Sequence, residues 1–238
     1  MSEQIQLGDL VVSVARKDIK NVHLSVHPPT GRISIAAPSR MSLEMLRIFA
    51  ISKLSWIRQQ QHKLQNQERE SPREYLNRES HYLWGKRYLL KLTELDAVPQ
   101  IHLKHNTLVL QLRPGASEEK KRAVLEEWYR KQLKAEGPPL IERWERLIGV
   151  KAERFHVQRM KTQWGSCSPE SSSIRLNTEL AKKPRECLEY IVVHELIHLL
   201  EPTHNARFIS LMDHYLPKWQ SCRQLLNRLP VRHESWGY

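Results

Sequence analysis

Over the first forty residues the apolar positions cluster or alternate with period two. Leu10 to Ala15, Asn21 to His27 and Arg32 to Ala36 are rich in β-branched side chains and read as three short strands. Pro28-Pro29-Thr30-Gly31 supplies a turn between the last two, which predicts a small antiparallel β unit. The period then changes. From Ser42, a helix-capping residue type, the positions Leu46, Phe49, Ala50, Lys53, Leu54 and Ile57 recur at three and four, which predicts a helix running through a Gln-rich stretch to Gln67. Gln65 to Arg73 has almost no apolar residue and contains Ser71-Pro72, so it is the candidate linker. The expected division is residues 1–70 and 71–238, with a single domain as the alternative.

Beyond the linker, Tyr82 to Leu92 with a turn at Gly85-Lys86, and Ile101 to Leu112 with a turn at His105-Asn106, predict two more hairpins. Ser117 caps a helix whose stripe is Leu125, Trp128, Tyr129 and Leu133, and Gly137-Pro138-Pro139 is expected to break it. A second helix, Leu140 to Leu147, then ends at Gly149. Arg154 to Met160 and Ile174 to Asn177 read as strands around a tight segment, Lys161 to Ser168, and a helix starts near Pro184. Phe208, Leu211, Met212 and Tyr215 mark another helix, with Thr203 as its expected cap. No internal repeat is visible in the sequence. This order predicts an α+β protein, with an antiparallel β-rich N-terminal part and a helix-rich C-terminal module.

Composition narrows the setting. A chain of 238 residues can bury a core without staples, and Cys167, Cys187 and Cys222 form no CxxC pair. No signal-like apolar segment opens the sequence and no apolar run is long enough to cross a bilayer, so the expected location is the cytoplasm. A net charge of +12 attracts nucleic acid, nucleotides or acidic surfaces, although Lys and Arg are spread along the chain.

The chemistry concentrates in residues 194 to 204, His-Glu-Leu-Ile-His-Leu-Leu-Glu-Pro-Thr-His. Residues four apart share a helix face, so His194 and His198 can point at one cation, with Glu195 beside them as general base. Pro202 cannot continue the helix, and the enforced turn can bring His204 back as third ligand, leaving a fourth position for water. The spacing is also that of the metzincins, except that Glu201 stands where those enzymes place glycine. Zinc is the expected ion, with nickel, cobalt or magnesium as alternatives.

Arg159-Met160-Lys161-Thr162-Gln163-Trp164-Gly165-Ser166-Cys167-Ser168, Ile174-Arg175-Leu176-Asn177, the His194 motif and Pro217-Lys218-Trp219 together resemble the YgjP-like metallopeptidase family. The resemblance implies a zincin-like, specifically gluzincin-like, catalytic module with zinc held by His194, His198 and His204 and with Glu195 as base. It is similar at one remove to SprT-like proteases that act on protein bound to DNA. It also admits nucleotide hydrolysis, with UTP cleaved to UMP and pyrophosphate.

The residues before the motif bear on substrate. The segment Trp164 to Ser168 is where an exposed strand edge would receive an extended peptide, and Gly165 allows close approach. Arg159 and Lys161 share a face of an extended segment and can hold phosphates, aided by Arg175 or Arg207. Trp164 is a core residue or a stacking platform. The expected substrate-binding set is Arg159, Lys161, Trp164, Gly165 and Ser166, and the cations lean the reading to a nucleoside triphosphate. The alternatives are a peptidase, including one acting on nucleic-acid-associated proteins, and a non-catalytic module that binds nucleic acid or a partner. Cys167 is a fifth ligand, a redox-sensitive thiol or a small buried residue, and Glu201 orients a ligand imidazole or is an ordinary exposed glutamate.

Overall fold

The computed structural model describes residues 3–27, 30–66, 73–160 and 163–229, and the chain divides into two compact units, one within Met1–Glu70 and one within Ser71–Arg232. Part of the Pro28-Pro29-Thr30-Gly31 turn, most of the Gln65 to Arg73 linker, and Lys161 lie outside the described residues.

The first unit holds strands β1 (Glu3–Leu7), β2 (Leu10–Lys17), β3 (His23–His27) and β4 (Arg32–Pro38) in the order β1-β2-β4-β3. The alternation read in the sequence puts Val12, Val14, Ile33 and Ile35 on one buried face. Hairpins β1/β2 and β3/β4 are antiparallel, as expected, but β2 and β4 run parallel, with Val12 opposite Ile33. The sheet is mixed because residues 18–22 carry the chain past β2, so that β4 of the second hairpin is the neighbour. Helix α1 (Leu43–Ser52) begins where Ser42 Oγ accepts from Met45 N at 3.2 Å. The single helix foreseen to Gln67 is two helices: the chain breaks at Lys53 and α2 (Leu54–Asn66) follows. The break lets Leu46 and Ala50 of α1 and Ile57 of α2 all reach the same core.

The second unit opens with the same plan. Strands β5 (Ser80–Leu83), β6 (Lys86–Glu94), β7 (Gln100–Lys104) and β8 (Thr107–Leu112) have the order β5-β6-β8-β7, with β5/β6 and β7/β8 antiparallel and β6/β8 parallel. Each sheet starts with a two-residue turn containing a glycine of positive φ, Gly8 or Gly85, and each has a five-residue crossing, 18–22 or 95–99. Each is followed by a helix capped by serine, since Ser117 Oγ accepts from Lys120 N. The chain therefore contains a repeated fold unit that residue identities do not reveal.

Helix α3 (Glu118–Ile148) corrects another expectation. Gly137-Pro138-Pro139 does not break it, and it runs for 31 residues to Gly149, which has left-handed φ as the C-cap. The prolines remove two backbone donors, but Leu125, Tyr129, Leu133, Ile141, Trp144 and Ile148 form one buried stripe along the whole helix. Gly137 lies so close to the Phe155 ring that an added Cβ would come within 2.6 Å of it. Burial on both sides of the prolines outweighs their local cost.

The elements that carry and flank the His194 motif come last. Strands β9 (Arg154–Gln158), β10 (Gly165–Ser168) and β11 (Ser173–Asn177) form a sheet ordered β10-β11-β9, with β10 antiparallel to β11 at one edge. A 3-10 turn, Thr178–Lys182, leads to α4 (Arg185–Ile197), α5 (Ala206–Tyr215) and α6 (Trp219–Arg228). One core joins Leu90, Leu110, Leu133, Ile174, Leu176, Val192, Leu196 and Phe208. The α+β class holds, with strands first and helices last. Among the described residues no helix is long and apolar enough to cross a membrane.

Candidate metal centre and active site

Helix α4 buries Cys187, Leu188, Ile191, Val192, Leu196 and Ile197, which fixes the one face on which His194 and His198 stand a turn apart. The helix ends at Ile197, short of Pro202, because Leu199 N and Leu200 N donate to Leu196 O and Ile197 O in tightened turns. In that turn His198 Nδ1–H donates to the Glu201 carbonyl at 3.1 Å, which leaves Nε2 as the free lone pair. Glu201 thus orients the His198 ring through its main chain. Its carboxylate accepts instead from Thr203 N and Oγ1, and those bonds hold it below the usual glutamate range. Thr203 is not the cap of α5 as foreseen: Asn205 Oδ1 accepts from Phe208 N at 3.0 Å.

The turn brings His204 back to the helix. Its Nε2 lies 3.0 Å from His194 Nε2, and His198 Nε2 lies 3.2 Å from the same atom. Nitrogens about 2.0–2.1 Å from one tetrahedral cation are about 3.3 Å apart, so the three donors fit a shared divalent ion, and they are the one such cluster among the described residues. Burial, with His198 and His204 next, lowers the His194 pKa to about 3, so its ring is neutral and available. His194 Nδ1 is buried with no hydrogen-bond partner among the described residues, and Tyr190 meets this ring edge-on at 5.8 Å.

Phe208 is the residue that sequence reasoning missed. Its buried ring lies 5.0, 4.7 and 4.7 Å from the His194, His198 and His204 rings and forms their common floor. Its position four after His204, as the first core residue of α5, is the signal that was available. Behind His194, Tyr190 stacks on Trp219 at 6.3 Å, and Trp219 Nε1–H donates to Asp213 at 2.7 Å, locking α4, α5 and α6 together.

Glu195 is 5% exposed, and burial raises its pKa to about 8. The close approach at Gly165 is to this carboxylate, since a Cβ there would fall 2.6 Å from Glu195 Oε1 and 2.8 Å from Ile191. Gly165 is what allows β10 to pass beside Glu195. Across β10 and β11 the pleat sorts the remaining candidates. Gly165, Cys167, Ile174 and Leu176 share the face toward α4, whereas Ser166 and its cross-strand partner Arg175 share the outer face.

Arg159 is exposed, lies 3.8 Å from Glu126, and lines a groove on that outer side with Ser166 and Arg175. Arg159 and Arg175, two of the cations foreseen from sequence, therefore line the face away from Glu195, and Lys161 lies outside the described residues. Trp164 is half-buried under Lys183, 5.8 Å from its ring, and its carbonyl accepts from Asn177 N. The Asn177 side chain donates to Met160 O and Gln163 O. Burial and then Glu195 push the Cys167 thiol up to about 11, so it is protonated at neutral pH.

A family model described as YgjP-like, metallopeptidase domain, matches residues 20–229. The chain belongs to this family. Membership makes it a metal-dependent hydrolase and implies a divalent metal. The metallopeptidase zymogen abylysin of Pyrococcus abyssi is similar at 20% identity, over 40% of this chain and 97% of that one, with a TM-score of 0.35. The metallopeptidase zymogen jannalysin of Methanocaldococcus jannaschii is similar at 23% identity, over 37% of this chain and 88% of that one, with a TM-score of 0.33. No curated protein matches. The family description names a peptidase, and the nucleotide reading of the sequence finds no support in it.

Proposed function

We propose that this protein is a zinc metallopeptidase in which His194, His198 and His204 hold the ion and Glu195 is the general base. The observation that carries the reading is the convergence of three imidazole nitrogens beside a buried glutamate that lies under an edge strand. Three imidazole ligands suit zinc. The ion, when bound, supplies Lewis acidity and an acidified water.

The chain's own groups supply the rest. An extended substrate adds to the open edge of β10 by main-chain hydrogen bonds, which places its scissile carbonyl over the face of α4 that carries the triad. Glu195, a stronger base than an exposed glutamate because it is buried, takes a proton from the attacking water onto a carboxylate oxygen and passes it to the leaving amine nitrogen. Gly165 leaves room for that carboxylate. The Glu201 carbonyl holds the His198 ring in the tautomer that presents Nε2.

The test combines metal analysis with turnover on unfolded protein and on nucleoside triphosphates. Glu195→Gln keeps stoichiometric zinc and loses about 10²–10⁴-fold in peptide cleavage, and His198→Ala loses both metal and activity. Pyrophosphate release that depends on Glu195, without new peptide termini, overturns the peptidase reading.

A further inference from the structure

We propose that the groove on the outer face of β10 and β11 is a specificity subsite for acidic side chains of the substrate. The inference rests on the reading of β10 as the peptide-binding edge. The groove, of about 410 Å³, is lined by residues that include Arg159, Arg175, Gln163, Ser166, Ser168 and Ser173, and among the described residues none that lines it is acidic. It therefore offers two guanidinium groups with hydroxyl and amide donors, a set that suits an oxyanion, while the two cations repel a lysine ammonium.

Register connects the groove to the edge. Ser166 pairs with Arg175 and Ser168 with Ser173, so these side chains project from one face of the sheet. A strand added to β10 continues that pleat. Every second side chain of the bound segment points to the outer face, beside Ser166 or Ser168 and within reach of Arg175 one strand further in. The alternate side chains point toward α4. Cleavage and charge reading thus fall on opposite faces of one bound strand. Arg159 is shared with Glu126, at 3.8 Å, so Arg175 carries the larger part of the selection. The net charge of +12 draws acidic segments to the protein but does not choose their register, which the groove does.

The experiment uses the full chain loaded with zinc and a peptide set identical except for one outward position, occupied by Glu, phosphoserine, Gln or Lys. The Gln peptide reports on peptidase activity by itself. The Glu peptide is expected to exceed the Lys peptide about tenfold in kcat/KM, with Gln between, and the ratio falls as salt rises. A phosphoserine peptide far above Glu would identify a phosphoryl group as the preferred oxyanion and keep the site. Arg175→Glu inverts the Glu-to-Lys order. Arg175→Ala moves the ratio toward one if the reversal variant does not fold, and thermal melts report folding.

The same peptides, fluorescently labelled, are titrated against zinc-loaded Glu195→Gln protein by anisotropy, a readout that needs no turnover. Binding in the order Glu, Gln, Lys that depends on Arg175, with no cleavage of any peptide by the unsubstituted zinc-loaded protein, retains the subsite and rejects the catalytic reading. Equal binding of Glu and Lys peptides, or an order that Arg175→Glu leaves unchanged, overturns the subsite even if the Gln peptide is cleaved.

Discussion

The sheets β1-β2-β4-β3 and β5-β6-β8-β7 share strand order, pairing directions, a glycine turn in the first hairpin and a serine-capped helix after the last strand. The capped helices themselves differ. In the first unit the helix stops at Lys53, with no proline present, and Met45, Ile48 and Ile51 stay exposed on α1. In the second, α3 passes through two prolines and buries its stripe along its whole length against the sheet and the catalytic elements. Helix continuity here depends on what each turn can bury, and local propensity yields to it.

Cavities test this contrast most strongly. Leu46→Ala in the first unit and Leu133→Ala in α3 each empty a fully buried site and should each cost about 2–5 kcal/mol. Denaturant titrations measure the cost, and peptide cleavage should fall only for Leu133→Ala. An equal loss of cleavage with Leu46→Ala would end the assignment of the chemistry to the second unit alone.

Gly137→Ala should cost about 1–3 kcal/mol, because its methyl meets the Phe155 ring and α3 must shift away from β9. An unchanged denaturation midpoint would mean that the ring yields and that the prolines are tolerated for another reason. The caps probe what the repeats share. Ser42→Ala and Ser117→Ala should each cost about 1 kcal/mol in urea melts, and a large inequality would show that the two helix starts are equivalent only in outline.

The smallest effect is alkaline. Burial raises Cys187 from 9.0 to about 12 and Cys167 from 9.0 to about 11. Well below pH 9 both thiols are protonated in the folded and unfolded chain, so they leave stability unchanged there. Above it the unfolded chain loses protons that the folded chain keeps, and stability falls until the folded pKa values are passed. The loss is about 1 kcal/mol or less for Cys187 by pH 9.5. All three cysteines lie beyond residue 160, so the second unit's transition should move in this window and Cys187→Ala should reduce the shift. A shift that Cys187→Ala leaves intact would assign it to other groups.

Spacing made the triad legible, since His194 and His198 lie one turn apart and Pro202 demands a turn before His204. The caps at Ser42 and Ser117, the turn at His105-Asn106 and the strand faces were equally local, because side-chain alternation and capping depend on a few successive residues. The order of strands was not, because parallel pairing of β2 with β4 and of β6 with β8 joins residues far apart in sequence. For the same reason the repeat stayed hidden, and the prolines of α3 looked like a break. The tertiary structure also decided that Phe208 floors the triad, that Gly165 makes way for Glu195, and that Ser166 and Arg175 face away from it. Local periods write themselves into a chain residue by residue, while pairing order, burial across elements and the side of a sheet that meets a helix exist only once distant segments have packed.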